Sequence, residues 1–385
     1  MKTLIELYDD RPIENVLATE MFHPEETVFI CPPEVEADKA YKKSLERYFE
    51  HRKCPVKLTF MPVSLLDAGK IGKRLLNVLE THEDCAIEIA GGTDAALFAA
   101  GAVAGETPVF TYSRKKNSFF DIKNAPFARN VPCTVRLDAE SCFLMAGGTL
   151  LPGRVDQKTL ADRMPMIGKL FDVYAGHRRI WQRQVSYIQR LGMLEGDPLT
   201  AAGAITEKAD HGRVTADRHL FRALAAEGLI YDLDLREDGL SFRYPDENIR
   251  FWLRDIGAVL ELQVYRACLA AGCFDDVVIS AVVNWESGDL ARDSVSNEID
   301  VVAVRGVQPV IISCKTCEIH TQALNELSVL RDRFGGRGSR ALIVTSAPVT
   351  GSRSVMRRRA QELGIEVIEW SDIRLDILTK RLRGR

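Results

Sequence analysis

The sequence lacks any long run of hydrophobic residues, and this absence limits the class of protein. Its apolar stretches reach about eight residues and end at Gly, Pro or charged residues, whereas a membrane-spanning helix needs roughly 20. The first ten residues, MKTLIELYDD, contain acids and no cleavable apolar region, which predicts a strand and not a signal peptide. We therefore expect no membrane partner and a cytoplasmic location.

The sequence also lacks an excess of charge of either sign. With 51 Lys and Arg against 54 Asp and Glu, the formal net charge is −3, so any contact with nucleic acid must depend on local patches. The seven histidines show no ligand spacing, and Cys314-x-x-Cys317 with His320 is too small a set for structural zinc. The nine scattered cysteines fit free thiols in a reducing compartment.

The first 150 residues predict an open α/β sheet. Short apolar runs, each suited to a buried strand, alternate with amphipathic stretches of helical length. The runs are Thr3–Tyr8, Thr27–Cys31, Val56–Met61, Cys85–Ala90 and Pro108–Tyr112, and the helical stretches are 11–20, 38–51, 65–81 and 94–103. This alternation predicts a Rossmann-like, doubly wound parallel sheet, to which Ser118–Lys123 and Thr134–Leu137 can add edge strands.

Residues 151–248 predict a helical connector, and residues 249–385 a mixed α/β domain. Residues 155–230 look helical and polar, with apolar residues at helical spacing between Phe171 and Ile188. A helix and a hairpin turning at Glu237-Asp238-Gly239 follow, an order typical of a winged-helix module, although a connector that packs the two domains together is an equally good interpretation. A long helix at Ile249–Ala271 then leads into an antiparallel hairpin.

This hairpin, NEIDVVAVRGVQPVIISCKT, places acids and a lysine on one face. Because side chains alternate along a strand, Glu298 and Asp300 share a face. On the partner strand, Ser313 and Lys315 share a face, and a turn just after Gly306 sets Asp300 opposite Ser313, with Lys315 near Glu298. A surface ion pair, worth only about 0–1 kcal/mol, is the simpler interpretation.

Two features favour a metal site over that simpler interpretation. The neighbouring Val and Ile residues are typical of a buried hairpin, where an unpaired charge is costly, and the upstream helix offers Glu261 in an otherwise apolar stretch. Mg²⁺ and Mn²⁺ prefer one or two carboxylates together with water. Such an ion activates water and neutralises charge in phosphodiester cleavage, and a nearby lysine can stabilise the developing charge.

A second candidate site lies at a strand-to-helix turn in the N-terminal region. The strand Cys85–Ala90 runs into Gly91-Gly92-Thr93-Asp94 and an Ala-rich helix. Glycines at such a turn let backbone N–H groups approach an anion, which the helix dipole also favours. A purely structural turn, with Thr93 or Asp94 capping the helix, is about as good an interpretation.

The order of these motifs resembles the PD-(D/E)XK nuclease superfamily: a helix with Gly-x-x-x-Glu, a strand with Glu-Ile-Asp, and a strand ending in x-x-Lys. NEIDVVAVRG, PVIISCKT and LNEL resemble the nuclease domain of CRISPR ancillary effectors that carry an N-terminal CARF domain, a sensor of cyclic oligoadenylates. The resemblance covers essentially the whole chain. It implies a metal-dependent endonuclease for DNA or RNA, activated by cyclic tetra-adenylate in type III CRISPR antiviral defence.

The resemblance also implies roles for individual residues. Asp300 is expected to bind Mn²⁺ or Mg²⁺, Lys315 to be the catalytic lysine, and Glu261 to bind the metal directly or through water. Ser313 stands where the superfamily has a second carboxylate, so metal affinity is expected to depend on Glu261. The main-chain carbonyl of Cys314 is a further candidate ligand.

The same resemblance implies where a cyclic oligoadenylate binds. The expected contacts are Gly91, Gly92, Thr93 and Asp94 at the strand-to-helix turn, Asp10, Arg11 and Asn15 at the first strand–helix turn, and Ser113 and Arg114 in a third loop. The ends of parallel strands are the usual ligand crevice of such a sheet. A ring with two-fold symmetry suits a site shared across a homodimer.

Two alternatives remain open. A ligand-sensing transcription regulator would use Thr200–Arg243 as a winged helix and carry a degenerate nuclease domain, explained by Ser313; its basic residues are, however, offset by acids. A thiol–disulfide function at Cys314 and Cys317 would need a lowered thiol pKa at Cys314.

Overall fold

The chain is described here from a computed structural model that covers residues 1–151, 160–209, 212–285, 295–335, 339–347, 349 and 354–384. The predicted fold class is confirmed: an N-terminal parallel sheet, a middle region with helices, and a C-terminal mixed α/β domain. None of the helices in these residues is long and apolar enough to cross a membrane.

The N-terminal sheet has seven strands in the order β3-β2-β1-β4-β5-β6-β7. The strands are β1 (Thr3–Leu7), β2 (Glu26–Cys31), β3 (Lys57–Pro62), β4 (Cys85–Glu88), β5 (Val109–Ser113), β6 (Ser118–Lys123) and β7 (Val131–Pro132). Strands β1 to β5 are parallel to one another, β6 is antiparallel to β5, and β7 is antiparallel to β6. The helices are α1 (Leu17–Phe22), α2 (Pro33–Ala37), α3 (Lys39–His51), α4 (Ala68–Thr81), α5 (Asp94–Val103) and α6 (Ala139–Met145).

The predicted edge strand Thr134–Leu137 is wrong. The last strand of the sheet is the shorter pair Val131–Pro132. Beyond it the chain leaves the sheet and crosses to the C-terminal domain, where the Leu137 amide donates to the Gly306 carbonyl at 2.8 Å. This hydrogen bond links the segment to the C-terminal domain instead of to the N-terminal sheet.

The middle region contains more strand than the sequence predicted. Helix α7 (Met164–Arg190) agrees with the prediction and contains one non-helical residue, His177. The prediction of helix through 155–230 is wrong beyond it, because β9 (Gly192–Leu194), β10 (Asp197–Ala204), β11 (Thr206–Ala209) and β12 (Gly212–Thr215) follow; residues 155–159 lie outside the described residues. Helix α8 (Arg218–Ala226) and the hairpin β13 (Tyr231–Leu235) and β14 (Gly239–Arg243) are as predicted, and β10 pairs with β14.

The C-terminal domain is built on a six-stranded sheet in the order β19-β18-β17-β16-β15-β8. Its strands are β15 (Asp276–Asn284), β16 (Ser296–Arg305), β17 (Gln308–Lys315), β18 (Arg340–Thr345), β19 (Ile365–Ile368) and the edge strand β8 (Thr149–Leu151). The helices are α9 (Glu247–Arg254), α10 (Ala258–Ala271), α11 (Thr321–Phe334), α12 (Ser354–Glu362) and α13 (Leu375–Arg383). Strand β8 comes from the N-terminal side of the connector and pairs with β15.

The single helix predicted at Ile249–Ala271 is divided into α9 and α10. The Asp255 carboxylate accepts hydrogen bonds from the amides of Gly257 at 2.7 Å and Ala258 at 3.1 Å. It therefore supplies hydrogen-bond acceptors for amides that have no intrahelical partner at the start of α10. This break fixes where the first turn of α10, and with it Glu261, enters the domain.

The two sheets are joined by a shared apolar core. Phe143 of α6 packs edge-on against Phe334 of α11 with ring centroids 5.1 Å apart. The Ser44 hydroxyl of α3 donates to the Leu144 carbonyl at 2.7 Å. Both sheets contribute to one continuous cluster of buried residues, among them Phe29 and Ile311.

Candidate active site and ligand-binding edge

The register of the central hairpin brings the predicted acid and lysine together. Val301 pairs with Ile312 across the antiparallel ladder, which sets Asp300 opposite Ser313 as expected. The Ser313 hydroxyl donates to Asp300 Oδ2 at 3.1 Å, and Lys315 Nζ lies 3.8 Å from the same oxygen.

Asp300 is held largely out of water. Burial raises its pKa above the ordinary aspartate value, although Lys315, the Cys314 amide and the Ser313 hydroxyl all act in the opposite direction. The Cys314 amide donates to Asp300 Oδ2 at 2.5 Å. The side chain is therefore fixed by several donors and still favours additional positive charge.

Glu261 lies in the first turn of α10, in the electrostatic field of the hairpin acids. Burial raises its pKa to about 8, with Asp300 as the next largest cause and Lys315 opposing the shift. Its carboxylate folds back against Gly257, where an added Cβ would lie 2.7 Å from Oε1. Glycine at 257 is thus needed for this position of the acid, which gives the Gly-x-x-x-Glu spacing a steric reason.

The donors present fit a hard divalent cation better than a structural metal. Asp300 and Glu261 are two carboxylates whose pKa values are raised by burial and, for Glu261, by the charge of Asp300. Among the described residues, no group of three or more His, Cys, Asp or Glu side chains could hold a metal ion. Mg²⁺ and Mn²⁺ keep several waters and need only one or two carboxylates, whereas structural zinc needs a closed set of four ligands. The Cys314 carbonyl remains a predicted ligand.

All nine cysteines are free thiols. The Cys314 thiol is buried, which raises its pKa well above the ordinary value, and the nearby Asp300 carboxylate adds to the effect. A reactive thiol needs a lowered pKa, so this environment is the opposite of what the thiol–disulfide hypothesis requires.

A small pocket of about 50 Å³ opens beside the hairpin. It is lined by Glu298, Ile299, Asp300, Ile312, Ser313, Lys315, Ala323, Glu326, Leu327 and Leu330. Sequence reasoning quoted Glu326 within LNEL but assigned it no role. The available signal was its position in the helix that directly follows the strand ending at Lys315.

The three segments predicted to bind the ring meet at one edge of the N-terminal sheet. Strands β1, β4 and β5 are neighbours and parallel, so their carboxyl ends lie together. The Gly92 amide donates to Asp9 Oδ2 at 3.1 Å, and an Arg11 Nη donates to the Ala90 carbonyl at 3.2 Å. Ser113 ends β5 half-buried.

The glycine turn is required by close packing. A Cβ at Gly91 would lie 2.7 Å from the Leu7 carbonyl oxygen, and Gly92 has φ +91° with a Cβ position 2.8 Å from Leu7 Cβ. Thr93 caps α5 by accepting from the Ala96 amide at 3.3 Å, while its hydroxyl donates to the Leu65 carbonyl at 2.6 Å. Close packing and the capping of α5 therefore explain the geometry of this turn without a ligand. Contact between the turn and a ligand stays a prediction.

The other residues predicted to contact the ring differ in the exposure of their side chains. Asp10 and Asp94 are exposed at this edge. Asn15 is buried, and its amide bonds to both the amide and the carbonyl of Asp9, at 2.9 and 2.7 Å, and to the Tyr41 hydroxyl at 3.2 Å. In this structure Asn15 shapes the turn, and its contact with a ligand stays a prediction.

Both candidate arginines are already paired with acids. Arg11 Nε lies 2.7 Å from Asp9 Oδ1, and Arg114 Nε lies 3.0 Å from Glu14 Oε1. Planar guanidinium groups suit phosphate oxygens as well as carboxylates. Phosphates at this edge would compete with Asp9 and Glu14 for the same donors.

Below the edge, two glutamates face each other on neighbouring strands. Glu6 of β1 is in register with Glu88 of β4, and both are almost fully buried. Glu88 accepts from the amides of Ala90 at 2.8 Å and Tyr112 at 3.2 Å. Burial raises the pKa of Glu88 to about 8 and that of Glu6 well above its ordinary value.

This pair predicts a pH-dependent stability. Because the folded-state pKa values are raised above 4.5, the folded protein binds more protons than the unfolded chain, and the free energy of unfolding falls as pH rises from about 4.5 toward 8. We expect Glu6→Gln to raise the free energy of unfolding at pH 8.5 by roughly 2 kcal/mol and to change it less at pH 5. Urea unfolding at several pH values measures this, with the exposed Glu80→Gln as control; an unchanged pH slope would contradict it.

Comparison with known proteins places these features in a class. Residues 246–384, which hold Glu261, Asp300 and Lys315, match the family described as Card1-like, endonuclease domain. The matched residues lie in the C-terminal domain and include helices α9 and α10 and strands β15 to β19.

Solved structures match the whole chain. Protein VC1899 from Vibrio cholerae has a TM-score of 0.74 at 17% identity, covering 99% of this chain and 97% of that chain. Can2 from Sulfobacillus thermosulfidooxidans, solved in complex with cyclic tetra-adenylate, has a TM-score of 0.70 at 15% identity, covering 99% and 98%. With the family match, this shared fold confirms the resemblance to CARF-domain nucleases. The comparison with curated protein sequences gave no match.

Proposed function

We propose that this protein is a metal-dependent endonuclease of the PD-(D/E)XK type that cleaves DNA or RNA when a cyclic oligoadenylate binds its N-terminal domain. The observation that carries the proposal is the convergence of Asp300, Lys315 and Glu261 in the domain that matches a Card1-like endonuclease. Two buried carboxylates with raised pKa values would be stabilised by Mn²⁺ or Mg²⁺, whose binding releases their protons.

Each residue of the candidate active site has a separate role in the proposed cleavage reaction. Asp300 would hold the metal directly and Glu261 directly or through water, and the ion would supply activation of a water molecule and neutralisation of charge on the phosphodiester. Lys315, with Nζ 3.8 Å from Asp300 Oδ2, places a positive charge where the attacked phosphate gains negative charge. The Ser313 hydroxyl and the Cys314 amide keep Asp300 oriented.

The activator is proposed to be cyclic tetra-adenylate in type III CRISPR antiviral defence. Can2, which shares the fold, was solved with that ring, and the carboxyl ends of β1, β4 and β5 lie together at one edge of the sheet, where such a ligand is expected. Activation requires that the ring bind one arrangement of the nuclease domains better than another.

The decisive experiment is a cleavage assay on the purified full chain. Single-stranded and supercoiled DNA, and single-stranded RNA, are incubated with Mn²⁺ or Mg²⁺, with and without cyclic tetra-adenylate. Ring-dependent cleavage supports the proposal. Sequence-selective duplex binding without cleavage would instead favour a transcription regulator that uses α8 and the β13–β14 hairpin.

A homodimer is proposed along helix α5. This helix begins at the glycine turn and carries Phe98, which is 72% exposed; Leu66, in the loop that precedes α4, is 87% exposed. Gly101 on the same helix has open space around its Cβ position. A two-fold contact there would set two ligand-binding edges side by side, as a symmetric ring requires.

We expect Phe98→Asp to convert the dimer to a monomer. A carboxylate at the centre of an apolar contact loses its water without gaining a partner, so dimer affinity should fall by at least 100-fold. Size-exclusion chromatography with light scattering measures the mass, and Val355→Asp, also exposed and apolar in the wild type, is the control. A monomeric wild type, or a dimeric Phe98→Asp variant, would contradict the proposed surface.

A further inference from the structure

The hairpin itself supplies few acids to the pocket beside Asp300. Ser313 occupies the strand position opposite Asp300, and its hydroxyl is engaged with Asp300 Oδ2. Glu298 lines the same pocket and, like Glu326, is exposed; Glu326 differs in that the Asn297 side chain donates to its carboxylate. A serine hydroxyl is a weak ligand for a hard divalent cation beside a carboxylate, so a stronger oxygen donor must come from elsewhere.

Glu326 faces the pocket from the other side. It lies on α11, one turn beyond Ala323, which also lines the pocket. Glu326 and Asp300 line the same pocket of about 50 Å³, one from the helix and the other from the strand. Two carboxylates that repel each other across a small cavity favour a cation between them.

The Glu326 carboxylate is also held in place. The Asn297 side-chain amide donates to Glu326 Oε1 at 3.0 Å. The side-chain oxygen of Asn297, Oδ1, in turn accepts a hydrogen bond from Trp285 Nε1 at 2.6 Å. Outer residues that orient a carboxylate in this way are typical of metal sites, because they fix the ligand before the ion arrives.

We propose that Glu326 takes the place of the carboxylate that is missing at Ser313 and binds the metal together with Asp300, with Glu261 acting on the ion through water and Asn297 as the positioning residue of Glu326. Asp300 comes from the strand and Glu326 from the following helix, so the two ligands reach the pocket from opposite walls. The coordinating carboxylates would then come from two elements that line the pocket, instead of from neighbouring positions in one hairpin. This inference rests on the proposed metal-dependent nuclease.

The test measures Mn²⁺ binding to the full chain in the absence of substrate. The methods are isothermal titration calorimetry and the decrease of the electron paramagnetic resonance signal of free Mn²⁺. We expect Glu326→Gln to weaken Mn²⁺ binding by 10- to 100-fold with an unchanged melting temperature. Losses of metal affinity of about this size are typical when residues around a metal site are replaced. Ser313→Asp combined with Glu326→Gln should recover most of that affinity. Glu362→Gln, an exposed acid on α12, is the matched control.

Two further variants separate Glu326 from its neighbours. Asn297→Ala should weaken Mn²⁺ binding less than Glu326→Gln and leave the melting temperature unchanged, because it frees the carboxylate without removing it. Glu298→Gln should leave Mn²⁺ binding near the wild-type value. A Glu298→Gln loss larger than that of Glu326→Gln would overturn the assignment.

Failure of this inference is distinct from failure of the proposed function. If the wild type neither binds Mn²⁺ nor cleaves nucleic acid, the metal-dependent nuclease itself is wrong. If the wild type does both and Glu326→Gln binds Mn²⁺ equally well, only the role of Glu326 is wrong.

Discussion

Asp300→Asn is expected to reduce ring-activated cleavage by on the order of 1,000-fold or more. The substitution keeps the size of the side chain and its acceptor for the Cys314 amide, but it removes the negative charge that the metal needs. Because burial holds the pKa of Asp300 above its ordinary value, the neutral amide should be at least as stable as the acid in the fold. Thermal unfolding should therefore be unchanged or slightly raised while the rate collapses.

Lys315→Met should give a comparable loss by a different route. Lys315 is the basic partner of Asp300 in the pocket, and methionine preserves much of its length without the charge. Metal binding should persist in this variant, whereas it should be strongly weakened in Asp300→Asn. Initial cleavage rates and Mn²⁺ titrations measure the two effects, with the exposed pair Asp376→Asn and Lys380→Met on α13 as matched controls. Full activity in either hairpin variant would falsify the assigned roles.

The second large effect is expected at the ligand-binding edge. Replacing both Arg11 and Arg114 by Ala should lower the affinity for cyclic tetra-adenylate by at least 100-fold, about 2.7 kcal/mol. Two causes act together. The phosphates lose charged donors, and Asp9 and Glu14 lose the ion pairs at 2.7 and 3.0 Å, so that two carboxylates are left facing an anion.

Calorimetric titration with the ring measures this loss, and the cleavage assay should show activation lost in parallel. When the ring is present at a saturating concentration, the cleavage rate of the double variant should return toward the wild-type value, because the C-terminal domain is unaltered. Lys123→Ala, an exposed cation at the end of β6, controls for the general loss of positive charge. Wild-type affinity in the double variant would show that the ring binds elsewhere.

The geometry of the hairpin could be predicted because it depends on local sequence pattern alone. A period of two along each strand, together with a tight turn near Gly306, is sufficient to place Asp300 opposite Ser313. The glycine turn at Gly91 and Gly92 was equally readable, since its neighbours along the chain are a strand and a helix.

Other features depend on tertiary contacts that no local pattern reveals. Residues 197–204, DPLTAAGA, read as part of a helical region because their small residues carry little periodicity, and they become a strand by pairing with β14. Glu6 and Glu88 are brought together by the register of β1 and β4. Glu326 reaches the pocket beside Asp300 because α11 packs next to the hairpin.

The edge strand β8 limits how this protein can be divided. Residues 149–151 lie before the connector in sequence, yet they complete the sheet of the nuclease domain by pairing with β15. A recombinant nuclease fragment starting at the connector would expose the unpaired edge of β15, a surface prone to aggregation. Sensor domains exchanged between such proteins should therefore be joined upstream of β8, so that this strand stays with the nuclease it completes.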